Sequence, residues 1–238
     1  MGNIRTSKPD TLKRDIFKSG KYIQHFKPDN VKNPFSKIYA KKKQDVIDYI
    51  NGLEKTNSVL DIGGGMGRLS LVLADSEDRK VVLTDISRDM LKLALNNVNN
   101  GNKPDVINAD AHYLPFRDGS FDIILGLDLF CHLSDPITAL RRFYDLLKDH
   151  GVLILDSTNS NPLWAFFYPR YMGKNPLNWL RIIKFKGVLP GWESIVNHYS
   201  QKQFYFFLKK AGFNIIKNIN YGPFVCPKWH LVIAKKIR

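Results

Sequence analysis

With 238 residues, 44% hydrophobic and 24% charged, the chain can bury one sizeable core and is neither fibrous nor composed like a disordered protein. No run reaches the roughly 20 apolar residues needed to cross a bilayer, and the start lacks the apolar stretch of a secretory signal. The net charge of +14 is uneven: residues 1–57 carry +7, residues 58–156 carry −5 and residues 157–238 carry +12, a balance that suits either an anionic partner or a lysine-rich solvated face.

The opening Met1-Gly2-Asn3-Ile4-Arg5-Thr6 fits the loose N-myristoylation pattern, yet an unmodified, frayed terminus is the expected state. Two helices are expected around 11–25 and 36–52, joined by a connector holding Pro28 and Pro34. They read as an N-terminal helical cover over residues 1–57. Its lysines, Lys41-Lys42-Lys43 among them, would add attraction for an anionic partner, with a solvated helix face as the plainer alternative.

From residue 58 short β-branched runs alternate with helical patterns, the mark of βαβ units around a parallel sheet. Ser58-Val59-Leu60-Asp61-Ile62 is a buried strand, followed by a glycine turn and a helix over 69–74. Lys80-Val81-Val82-Leu83-Thr84 is the second strand. Ser87 then caps a helix whose Met90, Leu91, Ala94, Leu95 and Val98 repeat at helical spacing. Asp105-Val106-Ile107-Asn108 is a short third strand, and 121–127 a nearly all-apolar fourth, as a central parallel strand should be. Cys131 and Cys226 form neither a CxxC nor a His/Cys spacing, so no disulfide framework or metal site is expected, and a reducing cytoplasm is. Asp135-Pro136 opens the next helix, and Gly151-Val152-Leu153-Ile154-Leu155 is the fifth strand. A capping box, Ser200-x-x-Gln203, leads into Phe204, Phe207 and Leu208, with Gly212 closing the helix. Strands over 213–219 and 229–234 end the chain.

A glycine-rich turn is weak evidence for any one cofactor, since several nucleotide folds use one. Here Gly63, Gly65 and Gly67 follow a strand and precede a helix, so the backbone can turn sharply and approach a ligand. Asp61, just before the turn, would repel a pyrophosphate but favours a ligand carrying an ammonium and a sulfonium. Asp85, 18 residues after Gly67, ends the second strand and can accept ribose hydroxyls. Asp110 follows the third strand, placed to accept an adenine amino group. Three acids at three successive strand ends beside one glycine turn point to a cationic adenosyl compound.

At these residues the chain resembles the class I S-adenosylmethionine methyltransferases, in the group of small enzymes that includes those of ubiquinone and menaquinone biosynthesis. The resemblance rests on Val59-Leu60-Asp61-Ile62-Gly63-Gly64-Gly65-Met66-Gly67, Leu83-Thr84-Asp85-Ile86-Ser87 with Met90-Leu91, Asn108-Ala109-Asp110-Ala111 through Leu114-Pro115-Phe116, and Ser120-Phe121-Asp122-Ile123-Ile124. It covers roughly residues 36–160 and returns at Ala211-Gly212-Phe213. It implies an α/β, Rossmann-like fold with a seven-stranded, mostly parallel sheet in a domain over 58–238, and an acceptor lid inserted at about 157–199. It also implies S-adenosyl-L-methionine as cofactor, leaving S-adenosyl-L-homocysteine, with no metal. Gly63, Gly64, Gly65 and Gly67 would line the methionine moiety, Asp61 would hold its amino group, Asp85 would bind the ribose, Ile86 would pack on the adenine, Asp110 and the Ala111 amide would read the adenine edge, and Leu127 would lie near the amino-acid end. One departure, Lys148-Asp149-His150-Gly151 in place of Lys-Pro-Gly-Gly, falls at the far end of the sheet.

The acceptor is less legible. Methyl transfer from a sulfonium is an in-line displacement, helped mainly by positioning and desolvation. His132, after the fourth strand, and His198, before the capping box, are the candidate catalytic residues, each with packing as the plainer alternative. Asp128, Trp164, Tyr168 and Tyr171 are candidate acceptor contacts, in or beside a basic, aromatic stretch that could line a lid, a lipid interface or a hydrophobic tunnel. The same mixture could clamp RNA, so an RNA methyltransferase stands as an alternative, as does a non-catalytic cofactor-binding subunit. The expected reaction is methyl transfer to O, N or C of a small hydrophobic, amphipathic or anionic acceptor, lipid- or quinone-like among them, and the expected partners are that acceptor and an anionic membrane surface.

Overall fold

The structure is a computed structural model, described here for residues 36–54, 56–98, 101–161, 163, 177, 180, 183–184 and 196–237. The acylation pattern at 1–6, the helix expected at 11–25, and Trp164, Tyr168 and Tyr171 lie outside the described residues. In chain order the elements are α1 (Ser36–Asn51), β1 (Ser58–Ile62), α2 (Ser70–Ala74), β2 (Lys80–Asp85), α3 (Arg88–Asn96), β3 (Asp105–Asn108), β4 (Phe121–Gly126), a 3₁₀ turn (Phe130–His132), α4 (Pro136–Leu146), β5 (Leu147–Thr158), α5 (Gln201–Lys210), β6 (Phe213–Tyr221) and β7 (Trp229–Lys236).

The strands form one seven-stranded sheet of order β3-β2-β1-β4-β5-β7-β6. β1 pairs in parallel with β2 and β4, β2 with β3, and β4 with β5, while β7 runs antiparallel between β5 and β6. Successive strands run outward from β1 to β3, then cross to β4 on the other side, so the order reverses between β1 and β4. In open α/β sheets ligands bind outside the strand carboxyl ends at that reversal.

Strands buried on both faces need apolar residues at every position, and β4 and β5 supply them: Ile123, Ile124, Leu125, Leu153, Ile154 and Leu155 are fully buried. One face packs under α1 and α2, with Val46, Ile50, Leu69 and Leu73 against Val59, Ile123, Ile154 and Ile233. The other packs under α4 and α5, where Phe143 and Phe204 meet Phe130, Leu60 and Leu153. Each such large side chain contributes about 1.5–3 kcal/mol on burial. The α1 helix is thus part of the same packed body as the sheet.

The helix starts form as their sequences dictate. The Ser87 hydroxyl accepts the Met90 N–H at 3.4 Å, the Asp135 carboxylate accepts the Thr138 N–H at 3.2 Å ahead of Pro136, and Ser200 and Gln203 exchange reciprocal bonds in a complete capping box. Gly212, at φ +100, takes the left-handed position just past α5. Boundaries shift elsewhere. β5 begins at Leu147 rather than Gly151, because a register shift between Phe121 and Ile123 lets the Lys148-Asp149-His150 bend, with His150 at φ +63, stay within the ladder. β4 stops at Gly126, one residue short of Leu127, and β6 and β7 each run two residues longer than their apolar patterns.

Candidate active site

The glycine turn is tied to the end of β2. Gly63 and Gly64 donate to the Thr84 carbonyl at 2.7 and 3.2 Å, and Gly65 N–H donates to Asp85 Oδ2 at 3.0 Å. Gly63, Gly65 and Gly67 sit at φ +67, +58 and +76, which L side chains rarely adopt. A Cβ on Gly64 would stand 2.5 Å from both Asp61 Oδ2 and Leu83, whereas one on Gly65 would meet only the Met90 methyl at 3.6 Å. The turn is therefore closed on its inner side and open at Gly65, toward the crevice.

Asp61 is buried, 3% exposed, and its Oδ2 accepts the Ser70 hydroxyl at 2.5 Å. Burial pushes its carboxyl up to about 6, against the lowering pull of Ser70, and the nearby Asp85 charge pushes the same way as burial. Asp85 is raised too, mainly by burial, although the Ser87 and Gly65 N–H groups favour its charged form. Those two N–H bonds, one to each oxygen, fix the Asp85 carboxylate while leaving acceptor capacity for a diol. Asp110 lies just after β3 and its Oδ1 accepts the His112 backbone N–H at 2.9 Å and the ring Nδ1–H at 2.8 Å. His112 Nε2 in turn accepts the Asp135 N–H at 3.4 Å, so this imidazole braces Asp110 against the start of α4. Ile86 and Ala111 are half-buried beside these acids. A buried and a half-buried carboxylate beside one glycine turn suit a cation and a pair of hydroxyls, and would repel a pyrophosphate. The residues present therefore fit an S-adenosyl compound.

The β4 side closes the crevice. Leu127, Asp128 and Leu129 follow Gly126, and the missing Cβ of Gly63 would lie 2.9 Å from Leu129 Cδ1. Asp128 adopts φ +56, and its N–H donates to Asp156 Oδ1 at 2.6 Å. Between the two carboxylates lies Lys42 of α1. It is 2% exposed, its ammonium donating to Asp128 Oδ1 at 2.9 Å and to Asp156 Oδ2. The solvated-face reading of the lysine run is thus wrong for Lys42, which occupies the apolar stripe of α1 one turn before Val46 and two before Ile50. Lys41 is exposed and pairs with Asp45. Burial alone would strip Lys42 of its proton; the two carboxylates reverse that and hold it charged above the usual lysine range. Asp156 is raised, because burial and the Asp128 charge together outweigh the attraction of Lys42.

His132 ends the 3₁₀ turn, its N–H donating to the Leu129 carbonyl at 2.8 Å. His198 lies across from it, its Nδ1–H donating to the Asn159 carbonyl at 3.2 Å. Burial drives His198 down to about 4, so it is neutral at physiological pH with its lone pair on Nε2. Lys228 itself is buried and held well below the usual lysine range by desolvation, its Nζ 4.6 Å from the Trp229 ring centre. Sequence reasoning missed Lys42, Ser70, His112, Asp156 and Lys228. Among the described residues no cluster of His, Cys, Asp and Glu is arranged to hold a metal ion, and no helix is long and apolar enough to cross a membrane.

Several known proteins are similar to this chain. A family model described as a methyltransferase domain matches residues 60–155, from β1 into β5. Over 230 residues the chain is 25% identical to the ubiquinone/menaquinone biosynthesis C-methyltransferase UbiE of Wigglesworthia glossinidia brevipalpis, covering 91% of this chain and 89% of that protein. It is 34% identical over 123 residues to the protein of the same name in Escherichia coli O1:K1 / APEC, which is 50% of this chain and about half, 49%, of that relative. Its structure is similar to magnesium protoporphyrin IX methyltransferase of Synechocystis PCC 6803 with bound S-adenosylhomocysteine, at TM-score 0.69 and 20% identity over 95% of this chain and 99% of that one. At such identity that likeness shows the Rossmann-like fold alone. The methyltransferase-domain match, the relatives and the sheet together support a class I S-adenosylmethionine-dependent methyltransferase.

Proposed function

We propose that the chain methylates an O, N or C atom of a small hydrophobic or amphipathic acceptor, quinone- or lipid-like. The observation that carries this reading is the likeness to a quinone-biosynthesis C-methyltransferase, which extends over 230 residues and so well beyond the shared methyltransferase domain. When bound, S-adenosylmethionine supplies the electrophilic methyl group. Asp61 would then pair with the ammonium of its methionine end over the Gly63-Gly64-Gly65 backbone and Gly67, with Leu127 alongside. Asp85 would accept the ribose hydroxyls, Ile86 would pack on the adenine, and Asp110 with the Ala111 amide would meet its edge.

On the acceptor side His198 has the right form to orient a hydroxyl: its Nδ1–H is committed to Asn159 and its Nε2 lone pair accepts. His132, on the 3₁₀ turn, is near enough for its charge to act on His198. Orientation of this kind is the main contribution a protein makes to an in-line displacement. The test is transfer of labelled methyl from S-adenosylmethionine to a demethylated polyprenyl quinol in detergent micelles. Label in the quinol is the expected result; label in bulk tRNA, with none in the quinol, would overturn the reading in favour of RNA.

An amphipathic acceptor sits in or on a bilayer, and the molecule carries a fitting contact. Phe224 and Val225 stand exposed, 102% and 81%, at the turn between β6 and β7. That turn lies at the carboxyl end of β5, since Trp229 pairs with Thr158. Together with a net charge of +14 it supports docking on an anionic membrane surface. Co-sedimentation with phosphatidylglycerol vesicles is expected, weaker with added salt and weaker again in Phe224→Ser/Val225→Ser; no binding at low salt would remove the membrane from the reading.

A further inference from the structure

We propose that Lys42 is a positioning residue for cofactor binding: through Asp128 it holds the loop after β4 against the glycine turn. This rests on the reading that the turn receives S-adenosylmethionine. The chain of contacts is short. The Lys42 ammonium donates to Asp128 Oδ1 at 2.9 Å and to Asp156 Oδ2, and Asp156 Oδ1 accepts the Asp128 N–H at 2.6 Å. The lysine head also lies 5.1 Å from the Tyr39 ring centre and 5.8 Å from that of Trp229. Asp128 sits at φ +56, a left-handed conformation uncommon outside glycine that aspartate adopts more readily than most residues, and here both its N–H and its carboxylate are engaged. The next residue, Leu129, packs so closely on the turn that a Cβ on Gly63 would fall 2.9 Å from its methyl, and a Cβ on Gly126 would fall 3.1 Å from its other methyl. Its carbonyl starts the turn that carries His132.

Without the ammonium, the buried Asp156 carboxylate and the half-exposed Asp128 carboxylate are left as like charges with nothing between them. The loop then has reason to leave, and Leu129 with it. Cofactor affinity falls by the fraction of molecules whose loop stays in place, so a loop seated in about one molecule in ten weakens apparent binding about tenfold. A lysine that merely anchored α1 would affect folding and leave the affinity of the folded protein alone.

Calorimetry with S-adenosylhomocysteine on the full chain separates the two. Lys42→Met is expected to bind about tenfold more weakly. Adding Asp128→Gly should restore affinity to within about threefold of wild type, because glycine takes the left-handed conformation without help and removes one of the opposed charges. Wild-type affinity in Lys42→Met, or no rescue by glycine while Asp128→Gly alone binds normally, overturns the proposal. If Lys42→Met does not fold, Asp128→Asn decides: it keeps size and tolerance of positive φ but loses the ion pair, and unchanged affinity there also overturns it. Asp61→Ala is the control for the underlying reading. If it binds as wild type, the cofactor site itself is misplaced; if it fails to bind while Lys42→Met binds normally, only the positioning role is lost.

Discussion

The two sides of the crevice are built differently. On the β1–β3 side the polar groups, Asp61, Asp85 and Asp110, come from strand ends that follow one another in the chain, and backbone N–H groups or near neighbours fix them. On the β4–β7 side Lys42, Asp128 and Asp156 come from segments up to 114 residues apart and are fixed by one another. The first side is a local device repeated three times. The second exists only once the whole chain has folded, so its charges answer for stability as well as for chemistry.

The largest expected effect tests that contrast directly. Lys42→Met leaves the buried Asp156 carboxylate without its cation and takes the partner from the half-exposed Asp128, a loss of about 3–5 kcal/mol in denaturant unfolding. A loss below about 1 kcal/mol would mean that the cluster is hydrated and that the two sides do not differ in this way. Next comes Asp85→Ala, expected to cost about 1.5–3 kcal/mol in cofactor binding while changing stability little, because its role is read from charge-assisted bonds to ligand. Equal affinity in wild type and variant would remove Asp85 from the ribose.

Smaller is the pH effect. Burial raises the Asp61 carboxyl to about 6, above its unfolded value of 3.8. Its contribution to stability is therefore fully present below about pH 3.8 and is lost as pH rises through about 6. Cofactor binding has the opposite sign, since the ammonium pairs with the carboxylate: affinity should fall by up to about tenfold per unit as pH drops below about 6, and Asp61→Asn should flatten that slope. The smallest effect is Ser200→Ala, which removes one cap of α5 at a cost of about 1 kcal/mol without altering cofactor affinity.

How far each side can be read from sequence follows from the same difference. The glycine turn, Asp61, Asp85, Asp110 and the caps at Ser87, Asp135 and Ser200 announce themselves because spacing and neighbours within a few residues determine their conformation. Strand lengths were less legible, since β6 and β7 extend by pairing with each other rather than by apolar pattern. Lys42 left a signal that was overlooked. Lys42, Val46 and Ile50 fall at i, i+4 and i+8, so the lysine occupies a position of the buried stripe, and a charge there demands buried partners. Asp156 left one as well, a fourth acid near a strand's carboxyl end. Which acid meets which lysine is a tertiary fact, and the spacing of 86 and 114 residues carries no trace of it.

One feature near this cluster makes the molecule its own stopwatch. The Cys131 thiol is buried and donates to the Asp128 carbonyl at 3.6 Å, and burial with the Asp128 and Asp156 charges pushes its pKa upward. Only a thiolate reacts with an alkylating reagent, so Cys131 is expected to stay silent while the loop is seated and to react in any molecule whose loop has lifted. In a Cys226→Ser background the rate of modification reads out how often that happens. No label need be attached in advance: the clock is wound by the fold and ticks with the loop.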